Sequence, residues 1–231
     1  MQETTIKKTK KAAYLYIFLG GLFIAFLVVC NLIANKFVSV QTFLREEPFI
    51  LSAGILPYPV TFLITDLLSE FYGRKRTAVV IFTGFVASIL IIGVLNLGAL
   101  FPAIHGSPVS NETYVMVFGN SWRVIGASMT AYIIAQLVDV QLYEFWKKRT
   151  KGKMLWLRNN GSTIFSQLVD TILVVLVLFF GIKSSNEIVS IIKDGWIFKV
   201  ICALIDTPII YVSVFLIRRY FKLKPGEEIN F

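Results

Sequence analysis

The chain has 231 residues, of which 56% are hydrophobic and 16% are charged, and its formal net charge is +9. A mean hydropathy of +0.71 excludes an ordinary soluble domain. The two cysteines, Cys30 and Cys202, fall inside apolar stretches, which excludes a disulfide framework and indicates simple packing. We therefore expect one integral membrane domain over residues 1–231, without a soluble catalytic domain.

Six apolar stretches are long enough to cross a bilayer, which takes about 20 residues per helix. They cover residues 14–34, 49–68, 78–101, 122–146, 160–181 and 196–217. The first stretch follows a lysine-rich segment as a signal peptide would, but it is too long for a signal peptide and has no cleavage motif. The predicted fold class is therefore all-α, a polytopic membrane protein with six transmembrane helices.

Lysine and arginine are unevenly divided between the two sides that six alternating spans define. With a cytoplasmic N-terminus, the inner segments hold seventeen of these residues and the outer loops hold four. Cytoplasmic loops of membrane proteins carry such an excess, so we expect both termini in the cytoplasm and a multi-pass protein of the cytoplasmic (inner) membrane. The basic net charge therefore indicates a lipid bilayer rather than a nucleic acid as the partner.

The second span contains Pro57 and Pro59, and each proline removes a backbone donor from a helix. A broken helix at membrane depth is tolerated where it is buried in protein or lines a cavity, so we expect a break here. The six spans also divide into two sets of three with opposite orientation. A 3+3 inverted repeat, common in transporters, would relate them, and residues 61–66 and 164–170 are loosely similar.

Four aspartates lie inside predicted spans, at Asp66, Asp139, Asp170 and Asp206. Two of them close a repeated tetrapeptide, which reads Gln136-Leu-Val-Asp139 and Gln167-Leu-Val-Asp170. A carboxylate at the bilayer centre costs about 2.5–3.5 kcal/mol on insertion scales, whereas a neutral Asn or Ser would join helices at lower cost. We therefore predict a binding site at the carboxylates. Interhelical hydrogen bonding stays the alternative for the neutral polar residues.

Spans four and five are antiparallel, and at a rise of about 1.5 Å per residue their polar residues fall at matching depths. Gln136 should lie level with Asp170, and Gln167 with Asp139. If the two spans are adjacent, each amide is expected to donate to the opposite carboxylate. Helical spacing adds further residues to these polar faces, namely Asn31 in span one, Phe62, Asp66 and Glu70 in span two, and Tyr132 in span four.

Two cations lie near the outer ends of spans. Arg123 and Lys199 are expected to extend to the membrane interface, and Arg123 alternatively pairs with a carboxylate as an outer gate. Ionised carboxylates accept hydrogen bonds without donating, so the expected ligand is donor-rich or cationic. A guanine-like ring fits, because a carboxylate accepts from its adjacent N–H and NH₂ groups while Tyr58, Phe62 and Tyr132 supply stacking faces. Composition alone leaves a simple cation or a proton path open.

Several segments resemble the queuosine precursor transporter family, six-span bacterial membrane proteins also described as a vitamin-uptake-type family. The matching segments are residues 31–36, residues 59–73 with a D-x₃-E-x-Y-G element, residues 117–139, and residues 155–171. The resemblance implies uptake of 7-deazaguanine bases, the 7-cyano- or 7-aminomethyl-7-deazaguanine precursors of the tRNA nucleoside queuosine. It covers nearly the whole chain outside the termini.

On this resemblance, one or two of the aspartates receive the donor edge of the base, and the glutamines orient the ring or the carboxylates. A further acid, Glu70 or Asp206, would pair with an aminomethyl cation or carry a coupled proton. The predicted substrate-binding residues are Asn31, Asp66, Glu70, Arg123, Tyr132, Gln136, Asp139, Gln167 and Asp170.

Two other functions stay open at this point. One is a substrate-binding membrane subunit for another nucleobase- or vitamin-like molecule, dependent on an energising partner. The other is an intramembrane aspartyl enzyme, which the absence of G-x-G-D and H-E-x-x-H motifs disfavours; the one histidine, His105, is in a predicted loop. We predict a secondary transporter rather than an enzyme, with no metal or cofactor. The sequence does not choose between a monomer and a homodimer.

Overall fold

The structure, a computed structural model, describes residues 2–33, 36–42, 45–119, 122–179, 181 and 184–229. Its elements are α1 (Gln2–Leu32), β1 (Phe37–Thr42), β2 (Arg45–Ser52), α2 (Tyr58–Ala99), α3 (Asn111–Phe118), α4 (Trp122–Arg149), α5 (Leu155–Phe179) and α6 (Ser185–Phe221). Among these residues, four helical segments are long and apolar enough to cross a membrane, namely Thr9–Leu32, Ala53–Ala99, Leu155–Val177 and Ser185–Phe221. A helical membrane protein is thereby confirmed, while the count of six spans stays a prediction.

Helix α2 contains most of the residues predicted as spans two and three. Its helical geometry is interrupted at Gly73, whose backbone angles are φ 76° and ψ 164°. Glycine alone adopts this region without strain, because it has no β-carbon. Gly73 therefore divides α2 into a first leg, residues 58–72, and a second leg, residues 74–99.

The helices pack in a consistent set of directions. Ala12 of α1 meets Tyr72, and Phe23 lies against Gly84, so α1 and the second leg of α2 run the same way. Contacts along α4 place it beside the first leg of α2 in a common direction. Helix α5 runs antiparallel to α4 on one side and to α6 on the other.

Basic segments from four parts of the chain gather at one end of the molecule, called the basic end below. Lys11 of α1 lies 5.2 Å from the ring centroid of Tyr220 in α6. Arg76, just after the break in α2, and Lys147, near the end of α4, both bond to the C-terminal segment, residues 223–229. These are the segments that the charge distribution predicts to be cytoplasmic.

The chain before α2 differs from its prediction. Residues 49–57, predicted as the start of span two, hold part of β2, which pairs with β1 in an antiparallel hairpin, and then a 3₁₀ turn at Ala53–Ile55. Pro57 and Pro59 lie at the start of α2. The N–H groups of a first helical turn have no acceptor within the helix, so the prolines cost no hydrogen bond there. The predicted proline break is therefore wrong, and the break in α2 lies at Gly73.

Polar side chains are concentrated inside the bundle, and large apolar ones cover its outside. The buried polar residues include Asp66, Glu70, Gln136, Asp139, Arg158, Gln167 and Asp170. The exposed apolar residues include Ile17, Phe18, Phe82, Val94, Ile205, Phe215 and Leu216. Such a distribution is expected where the outer surface contacts lipid and the polar groups face the interior of the bundle.

Candidate functional site

Three buried side chains on the first leg of α2 follow one another at intervals of about one helical turn. Phe62, Asp66 and Glu70 are four residues apart, so they lie on one face of the helix. Each belongs to a different group of contacts. We name these groups the upper, middle and lower layers, with the lower layer nearest the basic end.

Tyr58, Phe62 and Tyr132 form the aromatic part of the upper layer. The ring centroid of Tyr58 lies 5.3 Å from that of Phe62 and 5.3 Å from that of Tyr132. The prolines at the start of α2 place Tyr58 in its first turn, and α4 supplies Tyr132. The three rings that the sequence suggested as stacking faces therefore lie together.

Lys199 of α6 is the cation of the upper layer. Its amino group lies 2.5 Å from Asp170 Oδ2 on α5 and 4.6 Å from the ring centroid of Tyr58. The side chain of Lys199 is 12% exposed and that of Asp170 is 4% exposed. The expectation that Lys199 extends to the membrane interface is wrong, because a carboxylate and an aromatic face hold its ammonium inside the protein.

A small cavity lies beside this ion pair, between α2, α5 and α6. Its lining includes Tyr58, Phe62, Thr163, Gln167, Lys199 and Asp206. The cavity has a volume of about 20 Å³, which is room for about one water molecule. Gln167 Oε1 is buried and has no hydrogen-bond partner among the described residues. The cavity therefore combines a charged donor, an unpaired acceptor and aromatic walls.

Asp66 and Asp139 form the middle layer, one turn from the cavity toward the basic end. Their exposed fractions are 1% and 0%, and they lie at one level of the contact between α2 and α4, between the Thr65–Gln136 and Glu70–Tyr143 hydrogen bonds. Asp139 also accepts a hydrogen bond from the Ser166 hydroxyl at 2.9 Å. Because Ser166 belongs to α5, this contact places α4 and α5 side by side at the depth of the aspartates.

The two glutamines of the repeated tetrapeptide have different surroundings. Gln136 donates to the Tyr132 hydroxyl at 2.7 Å and accepts from the Thr65 hydroxyl at 3.1 Å. The carboxylates of the two repeats accept instead from Ser166 and Lys199. The predicted amide–carboxylate pairs are therefore wrong among the described residues, because hydroxyl and ammonium donors on neighbouring helices bind the carboxylates and α2 binds the Gln136 amide.

Glu70 is the centre of the lower layer. It forms ion pairs with Arg158 of α5, at 3.2 Å, and with Arg218 of α6, and it accepts a hydrogen bond from the Tyr143 hydroxyl at 3.1 Å. The side chains of Arg158 and Glu70 are 0% and 1% exposed. Both carboxylate oxygens of Glu70 are therefore occupied by protein donors, which leaves neither free for a substrate cation in this conformation.

The C-terminal segment closes the lower layer at the basic end. Ile229 is 5% exposed, and its backbone N–H donates to the carbonyl of Phe71 at 2.6 Å. Glu228 forms an ion pair with Lys147 at 3.0 Å. The Oε2 atom of Glu228 lies 2.6 Å from the point where a β-carbon on Gly73 would be. The space that glycine leaves at the break in α2 is therefore filled by a carboxylate of the C-terminal segment.

Two predicted site residues lie apart from the layers or outside the described side chains. The Asn31 amide donates to the carbonyl of Leu27 in its own helix at 3.0 Å and contacts the sulfur of Met129 at 3.5 Å. These contacts join α1 to α4 and do not reach the cavity. The side chain of Arg123 is outside the described residues, so its role as an outer gate stays a prediction.

Sequence reasoning assigned Arg158 to a basic loop and so missed a buried cation of the site. The residue lies in the first turn of α5, with its guanidinium inside the bundle. A signal was available, because Arg158 continues the four-residue spacing of Ser162, Ser166 and Asp170 along one helical face. A basic residue in register with a buried polar stripe is thus better assigned to the stripe than to the loop.

Comparisons with known proteins find similarity to named transporters. The chain matches the model of a family described as "Putative vitamin uptake transporter" over residues 52–213. It is 31% identical over 213 residues to a protein of Bacillus subtilis (strain 168) named "Probable queuosine precursor transporter", covering 90% of this chain and 86% of the relative. A Haemophilus influenzae protein of the same name is 25% identical over 127 residues, covering 55% of this chain and 51% of that relative. No solved structure matches the chain significantly.

The family match includes the upper and middle layers, together with Glu70 and Arg158 of the lower layer. Arg218 and the C-terminal segment lie beyond the matched residues. The family and both relatives are named as transporters, in agreement with the prediction of a transporter rather than an enzyme. On a family match over more than half of its length and a relative aligned along most of both chains, this membrane protein belongs to the vitamin uptake transporter family.

Proposed function

We propose that this protein imports a queuosine precursor, 7-cyano- or 7-aminomethyl-7-deazaguanine, across the cytoplasmic membrane, and that the upper layer binds the base. The Bacillus subtilis relative, named for such transport, aligns along most of both chains. The observation that carries the proposal is the cavity at which Lys199 and the unpaired Gln167 oxygen meet the rings of Tyr58 and Phe62.

The chemistry of the cavity matches the edge of a guanine-like ring. The ammonium of Lys199 is a donor for the ring carbonyl, as lysine is for guanine O6 in nucleic acids. Gln167 Oε1 and the Asp206 carboxylate are acceptors for the ring N–H and amino groups. Tyr58 and Phe62 supply faces for stacking, which contributes about 1–3 kcal/mol per base in other base-binding proteins.

The small volume of the cavity supports a closed conformation. Room for about one water molecule is far less than a bicyclic base needs, so the helices must move apart for the base to enter. In a secondary transporter the site opens to each side in turn. Here the ion pairs of Glu70 and the packed C-terminal segment block the route from the cavity to the basic end.

We also propose six spans, formed by α1, the two legs of α2, α4, α5 and α6. The consistent helix directions and the collection of basic segments at one end support this topology, with both termini in the cytoplasm and lipid around the bundle. The chain is then one membrane domain. The 3+3 inverted repeat and the homodimer stay predictions.

Rescue of queuosine tests the function. The chain is expressed in a bacterial strain that cannot make the precursor and lacks its own importer, and each precursor is supplied at low concentration. We expect queuosine in tRNA to appear with at least one precursor, as measured by mass spectrometry of the tRNA nucleosides. A failure of both precursors, with the protein present in the membrane, would overturn the proposed substrate.

Asp170→Asn in the same strain tests the site. The change leaves Lys199 without its anion in the cavity, so we expect rescue to need about tenfold more precursor, equivalent to about 1.4 kcal/mol of binding. Glu112→Gln is the matched control, since Glu112 is an exposed carboxylate on α3, outside the three layers. Equal rescue by wild type and Asp170→Asn at limiting precursor would remove Asp170 from the site.

A further inference from the structure

The middle layer holds two acids that the proposed base-binding cavity does not use. Asp66 and Asp139 are 1% and 0% exposed, and they lie at one level of the contact between α2 and α4, between the Thr65–Gln136 and Glu70–Tyr143 hydrogen bonds. One oxygen of each carboxyl group, Asp66 Oδ1 and Asp139 Oδ2, is buried without a hydrogen-bond partner among the described residues. Like charges in one buried site are unfavourable, so the pair holds one proton.

A neighbouring hydroxyl group indicates which acid carries that proton. Asp139 Oδ1 accepts from the Ser166 hydroxyl at 2.9 Å. A hydroxyl donor suits an ionised carboxylate, which only accepts hydrogen bonds. Asp66 is then the acid that carries the proton, and one oxygen of each acid has no partner among the described residues.

The pair is joined to the cavity by two short routes. Thr163 lines the cavity, and its carbonyl lies 3.1 Å from the Ser166 hydroxyl that donates to Asp139. Phe62 lines the cavity as well and is one helical turn from Asp66 on α2. A base that enters the cavity therefore lies within one or two side chains of both carboxyl groups.

On the side of the basic end, the pair faces the lower layer. The charged groups near Asp66 are Arg158 of α5 and Glu70 of α2, and Tyr143 of α4 is close to both acids of α2. Arg218 of α6 reaches Glu70. In this conformation Glu70 holds the guanidinium of Arg158, so that cation is not paired with the middle layer.

We propose that Asp66 and Asp139 are the site at which a proton binds and enters with each molecule of substrate, an inference that rests on the proposed import function. The proton binds the pair while the cavity is open to the outside. Opening of the lower layer separates Arg158 from Glu70 and lets Arg158 pair with the carboxylates. The proton then leaves Asp66 for water on the cytoplasmic side. The protein returns to the conformation open to the outside with no proton on the pair.

Uptake into vesicles tests the coupling. The full-length protein is placed in lipid vesicles with the membrane potential clamped at zero and the outside one pH unit more acidic, and each labelled precursor is added separately. We expect wild type to accumulate one of them up to about tenfold, because one pH unit per proton corresponds to about 1.36 kcal/mol. Asp66→Asn and Asp139→Asn should exchange labelled for unlabelled precursor but reach no accumulation.

Two further variants make the result specific. Glu144→Gln removes another acid of α4, one that pairs with Lys148 at 3.5 Å away from the layers, and should accumulate precursor like wild type. Asp66→Glu keeps a carboxyl group that can carry the proton, and should retain at least part of the accumulation. If the asparagine variants do not fold, the contrast between Asp66→Glu and Glu144→Gln is read together with acidification of a pH-sensitive dye inside wild-type vesicles.

The outcomes separate the two proposals. Exchange by wild type without accumulation or dye acidification would refute proton coupling and leave the import function standing. Full accumulation by both asparagine variants would refute the aspartate pair as the coupling site. Absence of any exchange of either precursor by folded wild-type protein would overturn the import function itself.

Discussion

The upper and lower layers both contain buried charges, but their acceptor oxygens are satisfied to different degrees. In the lower layer two arginines and a tyrosine surround the single carboxylate of Glu70 and occupy both of its oxygens. In the upper layer one lysine meets one aspartate beside a cavity, and Gln167 Oε1 and Asp170 Oδ1 have no partner among the described residues. A carboxylate whose oxygens are both taken by protein donors holds a structure closed, whereas unpaired acceptors next to a cavity are what a ligand can bind.

The two layers therefore predict different responses to substitution. A charge removed from the lower layer leaves its partners buried and unpaired, which reduces stability. Removal of the unpaired Gln167 oxygen from the upper layer takes away a contact with substrate and leaves little in the folded protein unsatisfied. Variants that separate stability from transport test whether the two layers differ in this way.

Glu70→Gln is expected to have the largest effect on stability. The change leaves Arg158, which is 0% exposed, without an anionic partner. Breaking a buried ion pair by removing one partner costs about 3–5 kcal/mol, so the free energy of unfolding should fall by that amount. Thermal or denaturant unfolding of the purified protein in detergent, followed by tryptophan fluorescence, measures it.

A double variant serves as the control for Glu70→Gln. Arg158→Met in the Glu70→Gln background removes the uncompensated buried cation, so it should recover part of the lost stability. If Glu70→Gln unfolds at the wild-type midpoint, the lower layer is not the closed ion cluster described above.

Gly73→Ala is expected to have the next largest effect. A side chain at φ 76° and ψ 164° is strained by about 1–3 kcal/mol, and its β-carbon would lie 2.6 Å from Glu228 Oε2. The C-terminal segment should therefore detach, which faster proteolysis of residues 223–229 would report. Gly93→Ala is the matched control on the same helix, since apart from the adjoining backbone of that helix no described atom lies within 4 Å of its added β-carbon. Equal proteolysis of the two variants would contradict the role assigned to Gly73.

The long apolar helices were largely predictable because apolar stretches are local features of the sequence, while the number of spans stays a prediction. The break in α2 was not predictable, because Gly73 is one small residue within a helical pattern and its neighbours Glu228 and Ile229 come from the far end of the chain. The hairpin β1–β2 was also missed, since the apolar end of its second strand, which includes Phe49 and Leu51, leads through a short 3₁₀ turn into an apolar helix.

The residue types of the site were predictable, but their pairing was not. Depth along two antiparallel helices placed the polar residues of α4 and α5 at matching levels, but it could not show that the helices touch or identify donors on a third helix. Lys199 on α6 and Thr65 on α2 bind the groups that the sequence had paired with each other. Pairing depends on which helices are neighbours, and helical periodicity within one segment carries no information about that.

Gln136→Leu is expected to have a smaller effect on stability than Gly73→Ala. The amide of Gln136 donates to Tyr132 and accepts from Thr65, and both bonds are buried. Their loss should cost about 1 kcal/mol, because Thr65 can still donate to backbone carbonyls of its own helix. The same unfolding measurement in detergent detects it, and an unchanged midpoint would show that these bonds contribute nothing to stability.

Gln167→Leu is expected to have the smallest effect on stability, although it is the same substitution in the other copy of the tetrapeptide. Gln167 Oε1 is buried without a partner among the described residues, so its replacement by an apolar group should leave the unfolding midpoint unchanged or raise it. Precursor uptake should nevertheless weaken by about tenfold, since about 1.4 kcal/mol of binding is lost with the acceptor. A drop in stability as large as that of Gln136→Leu, with uptake intact, would mean that both glutamines serve only to hold the helices together. If Gln167→Leu instead weakens uptake and keeps its stability, while Gln136→Leu loses stability, Gln136 serves the fold and Gln167 binds the substrate.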